Sequence, residues 1–129
     1  MKNTKIRARL LETKEWATGY LMQTKTTAHI VTDDDETNPK PIDPETISFA
    51  TGKTYRDGTM AFENDIIDYK GNVGIICHGE FNMKHVGFYV KWLGRAHDYR
   101  NDILYWIPIV TCVGNAEDKN DRIKFEIKH

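Results

Sequence analysis

The chain has 129 residues, which suits one domain of ordinary size with at most a small appendage. Hydrophobic residues make up 40% and charged residues 29%, so a packed core can form and wholesale disorder is excluded. The formal net charge of -1 argues against a strongly basic nucleic-acid binder, and no apolar run approaches the roughly 20 residues that span a bilayer. We expect a soluble, cytoplasmic protein without a membrane partner.

The small net charge hides an uneven distribution. Residues 1–31 hold six basic and two acidic groups, whereas residues 32–68 hold ten acidic and three basic groups. Charge balance between paired strands explains this pattern most simply, and a polarised surface that orients a partner is the alternative. The acidic middle segment also argues against a broadly anionic partner.

In the N-terminal third, alternating apolar and polar residues predict three short antiparallel strands, over residues 6–10, 16–24 and 27–31. Gly19 is interpreted as a bulge. Residues 32–41 contain four consecutive acids and then two prolines, which predict an exposed loop. This segment lacks the alternating ligands of a calcium-binding loop, so no metal is expected there.

Further short strands follow at close spacing, over residues 47–50, 60–62, 65–69, 73–78 and 86–92. In the last of these, Val90 and Trp92 face one way while Tyr89 and Lys91 face the other. Residues 94–101 can hold one helical turn. The stretches 103–113, which includes Pro108, and 122–128 predict an edge strand and a tail strand.

These elements predict a mainly β protein with little helix. Residues 1–45 form an antiparallel β meander plus the acidic loop, and residues 46–129 form a small SH3-like β-barrel with a C-terminal tail. Exposed strand edges and the apolar stretch 103–110 indicate a homo-oligomer.

Catalytic motifs are missing from the sequence: it has neither a phosphate-binding glycine loop nor a nucleophile elbow. Cys77 and His78 point to opposite strand faces and cannot readily hold one zinc ion, and both cysteines are predicted to be buried thiols. Glu63 and Asp65 would share a strand face at a spacing that glycosidases use, but no third group accompanies them. We predict a non-enzyme with no cofactor and no metal, and a small hydrolase remains the least favoured alternative.

Aromatic and basic residues interleave late in the chain, as they do on small β-barrels that bind single-stranded nucleic acids. The candidate nucleic-acid surface consists of Lys84, Tyr89, Lys91, Arg95 and Arg100. The alternative is an ordinary barrel surface around a core tryptophan.

The centre of the chain carries a specific order of short motifs. Residues 43–47 read Asp-Pro-Glu-Thr-Ile, and Thr51-Gly52, Asp57-Gly58 and the run Phe-Glu-Asn-Asp-Ile-Ile at residues 62–67 follow. This order resembles the YopX family of phage and prophage proteins, although Lys53 and Asn64 stand where that family has Leu and Gly. The resemblance implies a mostly β fold and carries no settled biochemical activity.

The motif residues are interpreted as structural: Asp43, Pro44, Glu45, Thr46, Thr51, Gly52, Asp57, Gly58, Glu63 and Asp65. Asp65 follows a tight turn, where its carboxylate can accept backbone N–H groups. The leading hypothesis is a non-catalytic phage or prophage accessory protein of unknown activity, an interaction module whose partner is another protein or itself. The alternative is a nucleic-acid-binding SH3-like barrel.

Overall fold

The computed structural model describes residues 5–32, 35–81 and 85–127, and the described chain is mainly β. It divides into two compact units, Met1–Ala50 and Thr51–His129. The strands are β1 Lys5–Arg9, β2 Trp16–Gln23, β3 Ala28–Thr32, β4 Asp35–Pro41, β5 Ser48–Thr54, β6 Met60–Phe62, β7 Asp65–Tyr69, β8 Asn72–Phe81, β9 His85–Trp92 and β10 Thr111–Asn115. The helices are α1 Ile103–Trp106 and α2 Lys119–Lys124, with 3₁₀ turns at Pro44–Thr46 and Gly94–Ala96.

The first unit is an antiparallel sheet in the order β4-β3-β2-β1-β5. Alternation along β1 buries Ile6 and Ala8 completely, and they pack with Ile30 and Ile42 in one apolar cluster. The predicted N-terminal meander is therefore confirmed. Its core follows from the two-residue period of the strand.

Two predictions in this unit were wrong. Residues 35–41 form strand β4 and not an exposed loop, because an edge strand pairs on one side only and so tolerates its two prolines. Asp33 and Asp34 of the predicted loop lie outside the described residues. Gly19 is no bulge, since the β1–β2 register is regular around it. A Cβ at Gly19 would instead collide with the carbonyl group of Val31.

In the second unit β6 lies beside β5, and a four-stranded antiparallel sheet has the order β10-β7-β8-β9. A hairpin turn joins β5 to β6: the Tyr55 N–H donates to the Thr59 carbonyl at 2.8 Å, and Gly58 has a φ of 90°. Strand β5 runs past the predicted end at Ala50 to Thr54. Strands β9 and β10 are the two ends of their sheet, and no pairing among the described residues closes it into a barrel.

One face of this sheet carries the core of the second unit. Its buried members are Tyr55, Ala61, Ile67, Ile76, Val90, Trp92, Ala96, Trp106, Ile107 and Val110. Gly74 of β8 pairs with Trp92 of β9, and a Cβ built on Gly74 would lie 3.0 Å from the Trp92 ring. The missing side chain at residue 74 therefore makes room for the indole.

Residues 103–106 form helix α1, where the sequence predicted part of an edge strand over 103–113; residues 111–113 do belong to an edge strand, β10. The Asp102 carboxylate caps α1 by accepting the Leu104 N–H at 2.9 Å, and the Val110 N–H still donates to the Trp106 carbonyl. Helical spacing turns Trp106, Ile107 and Val110 into the core. The opposite face is apolar as well, so the sequence shows no helical period.

The predicted tail strand over 122–128 is also wrong, because residues 119–124 form α2. Asp118 caps this helix by accepting the N–H groups of Asn120 at 2.9 Å and Asp121 at 3.2 Å. Asp121 lies against Gly114 of β10, where a Cβ would be 2.9 Å from its carboxylate oxygen. Helix α2 therefore packs on the face of the sheet opposite the aromatic core.

Gly74→Ala should lower the free energy of unfolding by about 1–3 kcal/mol, because the added methyl group overpacks the contact with Trp92. Gly87→Ala in the paired strand is the matched control, since a Cβ there meets no atom within 4 Å. Urea unfolding of both variants measures the difference. Equal free energies of unfolding for the two variants would contradict the close contact between residue 74 and the Trp92 ring.

Candidate functional site: a basic groove and an apolar helix

The first motif residues build a capped turn in the first unit. The Asp43 carboxylate accepts the Glu45 N–H at 3.0 Å, and the Thr46 hydroxyl donates to the Asp43 carbonyl at 2.7 Å. The Thr46 hydroxyl oxygen also accepts the Arg9 N–H at 2.9 Å, which fixes the turn to β1. Pro44 lies at the start of this turn, where a missing N–H costs nothing. These contacts are architectural.

The next motif residues stabilise the β5–β6 hairpin. The Thr51 hydroxyl donates to the Ala61 carbonyl at 2.9 Å, and Gly52 has a φ of 82°. At the hairpin turn the Thr59 hydroxyl and N–H donate to the Asp57 carboxylate at 2.7 and 3.0 Å. These two hydrogen bonds lower the pKa of Asp57.

Asp65 is a buried carboxylate at the start of β7, only 1% exposed. One of its oxygens accepts the Tyr55 hydroxyl at 2.6 Å and the Phe62 N–H at 3.0 Å, which is the turn contact that the sequence predicted. Burial, and then the neighbouring Asp65 carboxylate, raise the pKa of Tyr55 well above its ordinary value. Tyr55 therefore remains a neutral hydrogen-bond donor.

Glu63 and Asp65 do not share a strand face, so the predicted carboxylate pair is wrong. Glu63 and Asn64 form the turn before β7, and Asn64 has a φ of 72°. That left-handed residue breaks the two-residue alternation between the acids. Within the described ranges, no group of three or more His, Cys, Asp or Glu side chains could hold a metal ion.

The predicted burial of both thiols is wrong, because Cys77 is half-buried and Cys112 is exposed; these two cysteines do not form a disulfide. The position of each strand explains why Cys112 is more exposed than Cys77, because β10 lies at the edge of its sheet and β8 in the interior. None of the described helices is long and apolar enough to cross a membrane.

The candidate nucleic-acid residues divide into separate groups. Tyr89 and Lys91 lie on the sheet face opposite the core, as the alternation of β9 requires. Arg100 is engaged elsewhere: its guanidinium lies 4.3 Å from the Tyr105 ring and 3.4 Å from the Asp102 carboxylate. Lys84 lies outside the described residues.

Lys91 and Arg95 line one open groove of about 690 Å³. We call this groove, on the sheet face opposite the core, the outer groove. Its remaining lining residues are Gly71, Asn72, Val73, Ile75, Leu93, Gly94, Phe125, Glu126 and Ile127. The segment that follows α2 therefore forms one wall, and strands β8 and β9 contribute to the floor.

The positive charge of Lys91 affects the pKa of a neighbouring thiol. Burial raises the pKa of the neighbouring Cys77 thiol, and the Lys91 ammonium partly offsets this effect. Burial also raises the pKa of Tyr89. The side chains of Lys91 and Arg95 are exposed and form neither a hydrogen bond nor an ion pair within the described part of the chain. Both cations are therefore available to a ligand.

A second surface lies on the outward side of the helical stretch after Asp102. Leu104, Tyr105 and Ile109 are 63%, 46% and 45% exposed. Together with Pro108 they form the surface that we call the α1 surface. Leu104 and Pro108 line a cavity of about 200 Å³ together with Lys53. Pro108 and Ile109 line a second cavity, of about 180 Å³, together with Arg56 and Asp57.

Neither known families nor known proteins identify these surfaces. No protein-family model, no curated protein and no solved structure matches the chain. The resemblance to the YopX family remains a prediction from the motifs.

We expect Tyr55→Phe to lower the free energy of unfolding by about 1–3 kcal/mol at pH 8, because the buried Asp65 loses a hydrogen-bond donor. The loss should shrink above about pH 10. A tyrosine whose pKa is raised in the folded state stabilises the protein below its unfolded pKa, and this contribution falls by up to about 1.4 kcal/mol per pH unit above it.

Urea unfolding at pH 8 and near pH 11 measures both effects. Tyr105→Phe is the control, since this exposed ring should give a change within about 0.5 kcal/mol at either pH. A stability loss for Tyr55→Phe that is the same at both pH values would contradict the raised pKa.

Proposed function

We propose that the protein is a non-catalytic phage or prophage accessory protein that acts as an interaction module in the bacterial cytoplasm, and that its partner is a second copy of itself. The order of motifs from Asp43 to Ile67 supports the phage assignment. The exposed apolar α1 surface supports the interaction, because large exposed apolar groups that cluster commonly mark protein interfaces.

The charges around the α1 surface favour a second copy over an unrelated partner. Arg56 and Asp57 lie beside it on the hairpin turn, and Arg100 and Asp102 precede it in the chain. Both signs of charge are thus present on one surface. In a two-fold dimer the same surface meets itself, so Arg56 of one copy can face Asp57 of the other copy.

Leu104→Asp should raise the dissociation constant of the dimer at least about tenfold, because the interface would bury an unpaired carboxylate. Light scattering coupled to size-exclusion chromatography over a wide concentration range measures the association. Ile123→Asp on α2 is the matched control, since Ile123 is 67% exposed and lies away from the α1 surface in the chain. A wild-type monomer at all concentrations would overturn the self-association.

The second candidate function is nucleic-acid binding, which one observation favours: Lys91 and Arg95 line the same groove. Phosphate contacts by these two cations would make binding depend steeply on salt. The bound nucleic acid would be single-stranded, since stacking on exposed rings needs unpaired bases.

If nucleic acid is the partner, Lys91→Glu should weaken the binding of labelled single-stranded DNA or RNA at least about tenfold without unfolding the protein. Lys53→Glu is the matched control, because Lys53 is exposed and lines a different cavity. Fluorescence anisotropy over a salt series measures both variants. No binding by the wild type at low salt, where phosphate contacts are strongest, would exclude this alternative.

A further inference from the structure

We propose that the outer groove is a binding site for a single nucleotide, with the phosphate at Lys91 and Arg95 and the base against Phe125. This site is separate from the α1 surface and does not depend on self-association. It is narrower than the nucleic-acid alternative, because it assigns one nucleotide unit to one groove.

The size of the groove fits this ligand. Small-molecule sites in proteins usually measure about 300–1,000 Å³ and combine apolar walls with a few polar groups. The outer groove has a volume of about 690 Å³. Its apolar lining comes from two parts of the chain. Ile75 lies in β8 and Leu93 directly follows β9, whereas Phe125 and Ile127 lie in the segment after α2. These side chains offer a base apolar surface to pack against.

The charges in the groove match the chemistry of a nucleotide. Arginine offers a planar fork of N–H donors to phosphate oxygens, and lysine offers a compact point charge. Arg95 and Lys91 supply one of each, and both are exposed at the groove. Glu126 lines the same groove and is a hydrogen-bond acceptor. A ribonucleotide presents an anion together with hydroxyl donors, which suits this mixture better than a simple anion does.

The arrangement of the other basic residues limits the site to one unit. A surface that binds a strand of nucleic acid along its length needs cations at successive phosphates. Arg100 would be the next one along the chain, but its guanidinium is held over Tyr105 and beside Asp102. The wall formed by Phe125, Glu126 and Ile127 further bounds the groove on the tail side.

Isothermal titration calorimetry at low salt with each of the four nucleoside 5′-monophosphates tests the proposal, with inorganic phosphate as the comparison ligand. We expect millimolar or tighter binding of at least one nucleotide and weaker binding of inorganic phosphate. The double variant Lys91→Ala/Arg95→Ala should weaken nucleotide binding at least about tenfold, because two charge-assisted contacts are lost. The variant Lys25→Ala/Lys119→Ala removes two exposed positive charges outside the groove and should bind like the wild type.

Phe125→Leu tests the base contact separately. Loss of stacking should weaken nucleotide binding about fivefold or more while leaving the weak binding of phosphate unchanged. If this variant has a lower melting temperature, the double variant of the exposed cations still decides the question. Failure of every nucleotide to bind at millimolar concentration, or equal affinity for phosphate and nucleotide, would overturn the proposal.

The single-nucleotide site and the nucleic-acid alternative fail in different ways. Nucleotide binding without binding of DNA or RNA strands supports the groove and removes the polymer function. Strand binding without nucleotide binding overturns the groove proposal and leaves the polymer function standing.

Discussion

A single backbone carbonyl organises the second unit. The Arg100 carbonyl accepts the indole N–H of Trp92 at 3.1 Å and that of Trp106 at 2.6 Å, and the two rings lie 4.8 Å apart. Indole N–H groups that enter a core need a partner, and here one oxygen serves both. The Val90 N–H also donates to the Asn101 carbonyl, which holds the same segment against β9. The path of the chain between β9 and β10 follows from these hydrogen bonds.

Both candidate surfaces depend on that path. The turn at Gly94–Ala96 places Arg95 at the outer groove, which Lys91 near the end of β9 also lines. Once Trp106 is held in the core, helical spacing directs Leu104 and Tyr105 outward. The groove and the α1 surface therefore share one anchor although they use different residues. A change that breaks the indole contacts should disturb both surfaces at once, whereas changes at their exposed side chains should act separately.

The strands could be predicted from the sequence because half-buried strands alternate with a period of two, as β1 and β9 show. The helical stretch after residue 102 could not, because its inward and outward faces are both apolar and no period remains. The available signals were the capping residues Asp102 and Asp118, each of which begins a helix. Pro108 favours an edge strand in the sequence, but it lies two residues beyond the last residue of α1, where proline is common because the helix has already ended.

The site could be predicted only in part, for a similar reason. Alternation alone places Tyr89 and Lys91 on one strand face. The turn after β9 positions Arg95 at the same groove, and helix α2 positions Phe125 there. The charge of the acidic middle segment argues against a broadly anionic partner, yet local hydrogen bonds already engage several of its carboxylates. Asp43 and Asp57 accept bonds from their own turns, and Asp65 is buried against Tyr55. The charge of a segment therefore says little about an anion site until the contacts of each carboxylate are known.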